Sequence, residues 1–255
     1  MEEQRKQETS RITGLFQDEA APFAICGAKK IDAQGVLNHT WLVSDGHSIV
    51  ATGTMKPDFE AACRRFGIND SHVVDAGESI MTPGYVDIHA HGAWGKSFDD
   101  GSEGIRTARA GHLVHGTTRQ VLSLITNPID EICGNLRTVH DEMATRPDIL
   151  GAHLEGPFLS PSRKGAHDPN CLIDPTPDHV EELLHAANGC LRQITIAPEL
   201  PHGLDAIRRF AAAGVVPAVG HCDADYSMAK KGFDAGAGIM THMFNAMNGL
   251  HHRNP

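Results

Sequence analysis

Glu155 closes the apolar run ILGAHL (149–154) and stands directly before Gly156-Pro157. A buried carboxylate needs a partner, and a cation is one solution. Imidazoles recur at similar places: His221 closes VVPAVG (215–220), His242 closes GIMTH (238–242), and His89 and His91 stand in DIHAHG (87–92). Neutral imidazoles and carboxylates suit zinc and related divalent ions. One carboxylate with two imidazoles leaves an open position for water, as metal-assisted hydrolysis requires. Residues two apart in a strand point the same way, so His89 and His91 can face one ion. Each feature alone also has an ordinary explanation. Glu155 can be a helix cap or a loop charge, H-x-H can be two unrelated residues near a turn, and a lone strand-end histidine is more often structural. Three separate strand ends carrying Glu, His and His favour the metal.

These residues must be positioned by strands. Apolar runs lie at 80–88, 119–125, 149–154, 193–197, 215–220 and 238–242, with amphipathic stretches at 105–115, 130–144, 178–188, 203–213 and 226–236 between them. Strands buried on both faces and alternating with helices predict parallel βα units. The polar residues at the run ends (His89 and His91, Thr126-Asn127, Glu155, Glu199, His221, His242) would share one rim, where a βα barrel builds its active site. A doubly wound sheet also puts ligands at strand C-termini. However, no G-x-G-x-x-G or G-x-x-x-x-G-K-[ST] pattern opens a helix here. Before residue 80 the pattern differs. FAICGAKKID, TWLVSDG and HSIVATG read as short antiparallel strands between the turns at Gln34-Gly35 and Asp45-Gly46, with a helix near 57–67.

The formal net charge of −10 argues against nucleic acid or an anionic membrane surface as the main partner. No apolar run approaches the roughly 20 residues of a membrane span. Six cysteines without a C-x-x-C pair read as reduced thiols, which implies a cytoplasmic protein. Residues 1–22 are polar and read as a flexible extension. Seventeen histidines stand out in this composition, and histidine is the commonest metal ligand.

Taken together, PGYVDIHAHG (83–92), GAHLEGPFLSPSRKGAHDPN (151–170), IAPE (196–199), VGHCDAD (219–225) and THMFNAMNGLHHR (241–253) resemble the amidohydrolase superfamily and, within it, the N-acetylglucosamine-6-phosphate deacetylase family. The resemblance covers most of residues 75–255. It implies an α/β fold: an incomplete (β/α)8 TIM-type barrel of about six of eight βα units over 80–255, preceded by part of a small β-sandwich domain over 23–79. It implies Glu155, His221 and His242 as principal metal ligands. His89 and His91 match a second-metal pair that some members carry, so one or two divalent ions, zinc first, are expected. His167 matches a residue that polarises the acetyl carbonyl or holds the sugar. Asn245 and Ala246 match the phosphate-binding loop. Arg253 matches a phosphate-contacting arginine that a partner subunit can supply, which implies a homodimer for the full-length protein.

The implied reaction is hydrolysis of N-acetylglucosamine 6-phosphate to glucosamine 6-phosphate and acetate in amino-sugar catabolism. Its general base is an aspartate at the end of the family's eighth strand, and 81–255 holds no counterpart. The last two βα units are expected to be missing, since a full barrel takes about 250 residues. An open sheet with unpaired edges would aggregate. Two rival readings remain: an amidohydrolase acting on another amide, and a non-catalytic metal-binding fragment. Arg163 and Lys164 read as solvated loop charges, Asp223 and Asp225 as helix caps, and Glu199 as a rim carboxylate.

Overall fold

The computed structural model describes residues 21–253 together with Glu3 and Gln7, so nearly all of the extension expected over 1–22 lies outside the described residues. The chain divides into two units, one running to Tyr85 and the other from Val86 onward.

In the first unit β1 (Phe23–Asp32), β2 (Gly35–Ser44) and β3 (Ile49–Gly53) form antiparallel hairpins. Asp45 makes the second turn, its Oδ1 accepting from the N–H groups of His47 and Ser48. The helix α1 (Lys56–Phe66) follows and ends on Gly67 in the left-handed region. Trp41 anchors a small core with Ala24, Val43 and Ala62, and its indole N–H donates to the Met55 carbonyl at 3.0 Å. β4 (Val73–Asp75) and β5 (Ile80–Met81) then join β1 in parallel. The described strands therefore form one mixed sheet, where a wholly antiparallel unit was expected. The run expected at 80–88 is split, because Pro83-Gly84 interrupts it: β5 belongs to this sheet, while β6 (Tyr85–Asp87) belongs to the next.

The second unit carries the site. After β6 come a small hairpin, β7 (Gly92–Ala93) and β8 (Lys96–Ser97), and the helix α2 (Gly101–Leu113). Four strands alternate with helices thereafter: β9 (Thr117–Ile125), α3 (Ile129–Met143), β10 (Ile149–Glu155), α4 (Pro177–Ala187), β11 (Leu191–Ile196), α5 (Gly203–Ala212), β12 (Val216–Val219), α6 (Tyr226–Asp234). β13 (Ile239–Met240) closes the order β6-β9-β10-β11-β12-β13. Neighbours from β9 to β13 run parallel. The result is an incomplete TIM-type barrel of six strands, as expected.

Helical spacing supplies the outer layer. α3 buries Ile132, Leu136 and Val139, α4 buries Val180 and Leu183, and α5 buries Ala206, Ile207 and Phe210. Thr176 caps α4 and Asp225 caps α6 through their side chains. Asp223 does not share that role: its carboxylate pairs with Arg163 instead.

Register fixes where the chemistry can be. Glu155 sits opposite Ile125 and Thr195, Ile196 opposite Val219, and Val219 opposite Met240. The five C-termini are level, so whatever follows them shares one rim. Near the start of β10 lies a buried ionic cluster: Arg109 donates to Asp148, to the Gln120 amide oxygen and to the Thr117 carbonyl, and Arg146 holds the same Asp148. All six cysteines are free. No helix among the described residues is long and apolar enough to cross a membrane.

Candidate metal centre

Glu155, 4% exposed, is the hub of the rim. Its Oε2 lies 2.7 Å from Nε2 of His91. Its Oε1 lies 3.0 Å from Nε2 of His242, 3.2 Å from that of His221 and 3.3 Å from that of His89. Nε2 of His167, in the loop after β10, is 3.6 Å from Oε2. All five histidines expected at the site therefore meet one carboxylate. Two groups of three, His89-His91-Glu155 and Glu155-His167-His221, have ligand atoms close enough together to hold an ion, and Glu155 belongs to both.

The donor chemistry fits a divalent cation. Nε2 of His89 is 3.4 Å from Nε2 of His91, and Nε2 of His221 is 3.1 Å from Nε2 of His242. Nitrogen lone pairs facing each other at such distances repel unless a proton or a cation lies between them. His221 keeps Nε2 free for that purpose, because its Nδ1 is 2.8 Å from the Arg163 carbonyl, which accepts the ring N–H. His242 is oriented in the same way, Nδ1 lying 3.1 Å from the Asn245 carbonyl. Nδ1 of His91 and of His167 is buried without a protein partner.

A proton on Nε2 can take the place of an ion, and the imidazoles then bond directly to the carboxylate. Burial raises the Glu155 pKa, but the surrounding imidazoles of His167, His221, His89 and His91 outweigh it and hold the carboxyl well below its usual range. Burial opposes charge on His221, yet the hydrogen bond to Glu155 raises its pKa. The hub thus stays anionic. The cluster opens to solvent on one side: the side chains of His91 and His242 are 37% and 32% exposed, that of His167 only 3%.

His89 and His91 do not reach the hub by strand alternation, since β6 ends at Asp87. A loop holds them instead: the His89 N–H donates to Asp87 Oδ1, and the Ala90 carbonyl accepts from the Ser123 N–H. Backbone strain marks the opposite side. His221, His242, Phe244 and Ala246 all have positive φ, a cost that tends to be retained where function demands it. The Asn245 amide is occupied by the His242 and Met243 carbonyls. Arg253 lies on an exposed turn, where its backbone N–H donates to His251, and the structure does not bring it into the imidazole cluster.

Two loop charges, Arg163 and Lys164, need correction. Arg163 is not simply solvated: it pairs with Asp223 at 2.8 Å and hydrogen-bonds Asn248, tying together the loops after β10, β12 and β13. The Lys164 ammonium donates to the Gly165 and His167 carbonyls. Glu199 lies beyond the end of β11 and accepts from the Asp223 N–H, while burial raises its pKa.

Sequence reasoning overlooked His153. It is fully buried two residues before Glu155 on β10, and burial pushes its pKa down to about 3. The available signal was the two-residue spacing, which aims both side chains at the same face of the strand.

The amidohydrolase family model matches residues 80–254. The N-acetylglucosamine-6-phosphate deacetylase of Danio rerio is 35% identical over 193 residues, 72% of this chain and 48% of that protein. The N-acetylgalactosamine-6-phosphate deacetylase of Escherichia coli O157:H7 is 30% identical over 187 residues, 72% of this chain and 50% of that protein. Among solved structures, a variant N-acetyl-D-glucosamine-6-phosphate deacetylase from Mycobacterium smegmatis in complex with N-acetyl-D-glucosamine-6-phosphate superposes with TM-score 0.79 at 33% identity. That match covers 92% of this chain and 59% of the other. The chain spans about half the length of the curated relatives it matches. It belongs to the amidohydrolase family.

Proposed function

We propose that this member of the amidohydrolase family contributes the metal-holding part of a site that hydrolyses the N-acetyl group of a hexosamine 6-phosphate, N-acetylglucosamine 6-phosphate first. Water is consumed, the amide C–N bond breaks, and acetate and the amino-sugar phosphate leave. The observation that carries the reading is the convergence of five imidazoles on one buried carboxylate.

Glu155, His221 and His242 would hold one divalent ion, zinc by donor type, and His89 and His91 with Glu155 a second. Such an ion, when bound, polarises a carbonyl and lowers the pKa of its water. His167 would donate from Nε2 to the acetyl carbonyl oxygen, where its burial excludes competing water. The exposed His91–His242 side would admit the sugar. The strained 242–246 loop would meet the phosphate through backbone groups, because the Asn245 amide is already engaged. Arg253, exposed beyond that loop, would reach phosphate, in a homodimer that of the neighbouring subunit.

A second reading, metal binding without turnover, is favoured by one observation. Glu155 is the single carboxylate in either three-residue group, and as the shared ligand it cannot also carry the water's proton.

Zinc binding and acetate release by the purified chain test both readings, with N-acetylglucosamine 6-phosphate, its galacto epimer and a cyclic amide as substrates. Zinc-dependent acetate from an N-acetylhexosamine 6-phosphate, abolished in Glu155→Gln, supports hydrolysis. Bound zinc without acetate supports the second reading. Turnover of the cyclic amide alone would replace the assigned substrate, and absence of zinc binding would remove both readings.

A further inference from the structure

Beneath the cluster lies a layer of four buried polar residues that no step above uses: Ser123, His153, Thr195 and Thr241, each no more than 2% exposed. They form one chain of hydrogen bonds. Nδ1 of His153 is 2.9 Å from Ser123 Oγ, and its Nε2 is 2.9 Å from Thr195 Oγ1. Thr195 Oγ1 is in turn 2.8 Å from Thr241 Oγ1. A neutral imidazole has one donor and one acceptor nitrogen, and hydroxyls rotate to suit either tautomer. With both ring nitrogens engaged, His153 has none left for an ion.

Each member of the layer touches a segment that carries a ligand. His153 is two residues before Glu155 on β10, and its ring packs edge-on against His89 at 4.7 Å between centroids. The Ser123 N–H donates to the carbonyl of Ala90, the residue between His89 and His91. Thr241 directly precedes His242. Gly220 directly precedes His221, and a Cβ there would stand 2.5 Å from Thr241 Cβ and 3.0 Å from Thr195 Cγ2. That contact leaves room for glycine alone, so the layer also sets the height of the His221 segment. An apolar layer would fill the same space without fixing the direction of any of these segments, whereas directional bonds fix all of them at once.

Resting on the metal reading above, we infer that His153 is a positioning residue whose hydrogen-bonded layer with Ser123, Thr195 and Thr241 holds the imidazoles in ion-binding geometry. Loss of such outer partners typically costs 10–100-fold in metal affinity.

The test is Co2+ titration of the full chain, read by its visible d–d absorption, in the parent, His153→Phe, Thr195→Val and Thr195→Ser. Near-UV circular dichroism confirms folding. The expected result is roughly 10–100-fold weaker Co2+ binding with an altered absorption band in folded His153→Phe and Thr195→Val. Thr195→Ser, which keeps the hydroxyl, should restore the parent's affinity and band. Folded His153→Phe and Thr195→Val that bind within twofold of the parent with a superposable band would overturn the inference. So would loss of the fold in both, since the layer would then be a folding element. A parent chain that binds no Co2+ would instead overturn the metal reading itself.

Discussion

Nε2 of His91 lies 2.7 Å from Oε2 of Glu155, although 64 residues separate the two in the chain. The contact spans the sheet: His91 follows β6, an edge strand, and Glu155 ends β10, with β9 between them. The same carboxylate reaches the other way to His221 and His242, after β12 and β13. One anionic side chain therefore gathers imidazoles from both directions along the rim.

Glu155→Gln keeps the size of that side chain and removes its charge. Zinc affinity is expected to fall by more than the roughly 10–100-fold lost when an outer partner goes. Isothermal titration calorimetry measures this directly, and an unchanged isotherm would contradict the assignment.

The two histidines after β6 separate from the rest. His89→Asn with His91→Asn leaves Glu155, His221 and His242 intact. The double variant is expected to retain one zinc per chain by elemental analysis after dialysis. A variant retaining none would show that the two sides form a single indivisible site.

The buried ionic cluster near the start of β10 should behave differently. Arg109 is wholly buried on three side-chain and backbone acceptors. Arg109→Met leaves Gln120 without that donor and Asp148 with Arg146 alone. The expected loss is about 3 kcal/mol of stability in urea melts, with zinc affinity of the folded chain unchanged. Such an outcome would fit the division of a βα barrel into a catalytic rim and a structural floor.

Most of this architecture was legible in the chain. The run at 149–154 became β10 with Glu155 as its last residue, and the helices at 130–144 and 178–188 are displaced by only a residue from α3 and α4. Periodicity reports such elements because each buries a face. It could not report that Ile80–Met81 would pair with β1, a non-local choice made across Pro83-Gly84. Nor could it separate Asp223 from Asp225, since both precede α6 and only the latter's carboxylate meets a helix N–H. Arg109 and His153 were hidden for a common reason. A lone polar residue inside an apolar pattern looks like an interruption until its partner, distant in sequence, is in place.

Cys190 offers a check on the packing between α3 and β11. Its thiol is buried and donates to the Leu136 carbonyl, and burial pushes its pKa up to about 11 from 9.0. A raised pKa in the folded state contributes stability that is fully present below pH 9 and lost as pH rises towards 11. Cys190→Ala is expected to flatten the decline of stability over that interval in urea melts. An unaltered slope would show that the thiol is not held as described.

The most direct measurement is anomalous scattering at the zinc edge from crystals of the chain grown with zinc. The expected result is a peak about 2.0–2.2 Å from a Glu155 carboxylate oxygen and from Nε2 of His221 and of His242. Zinc bound elsewhere on the chain, with these three side chains turned away from one another, would contradict the account.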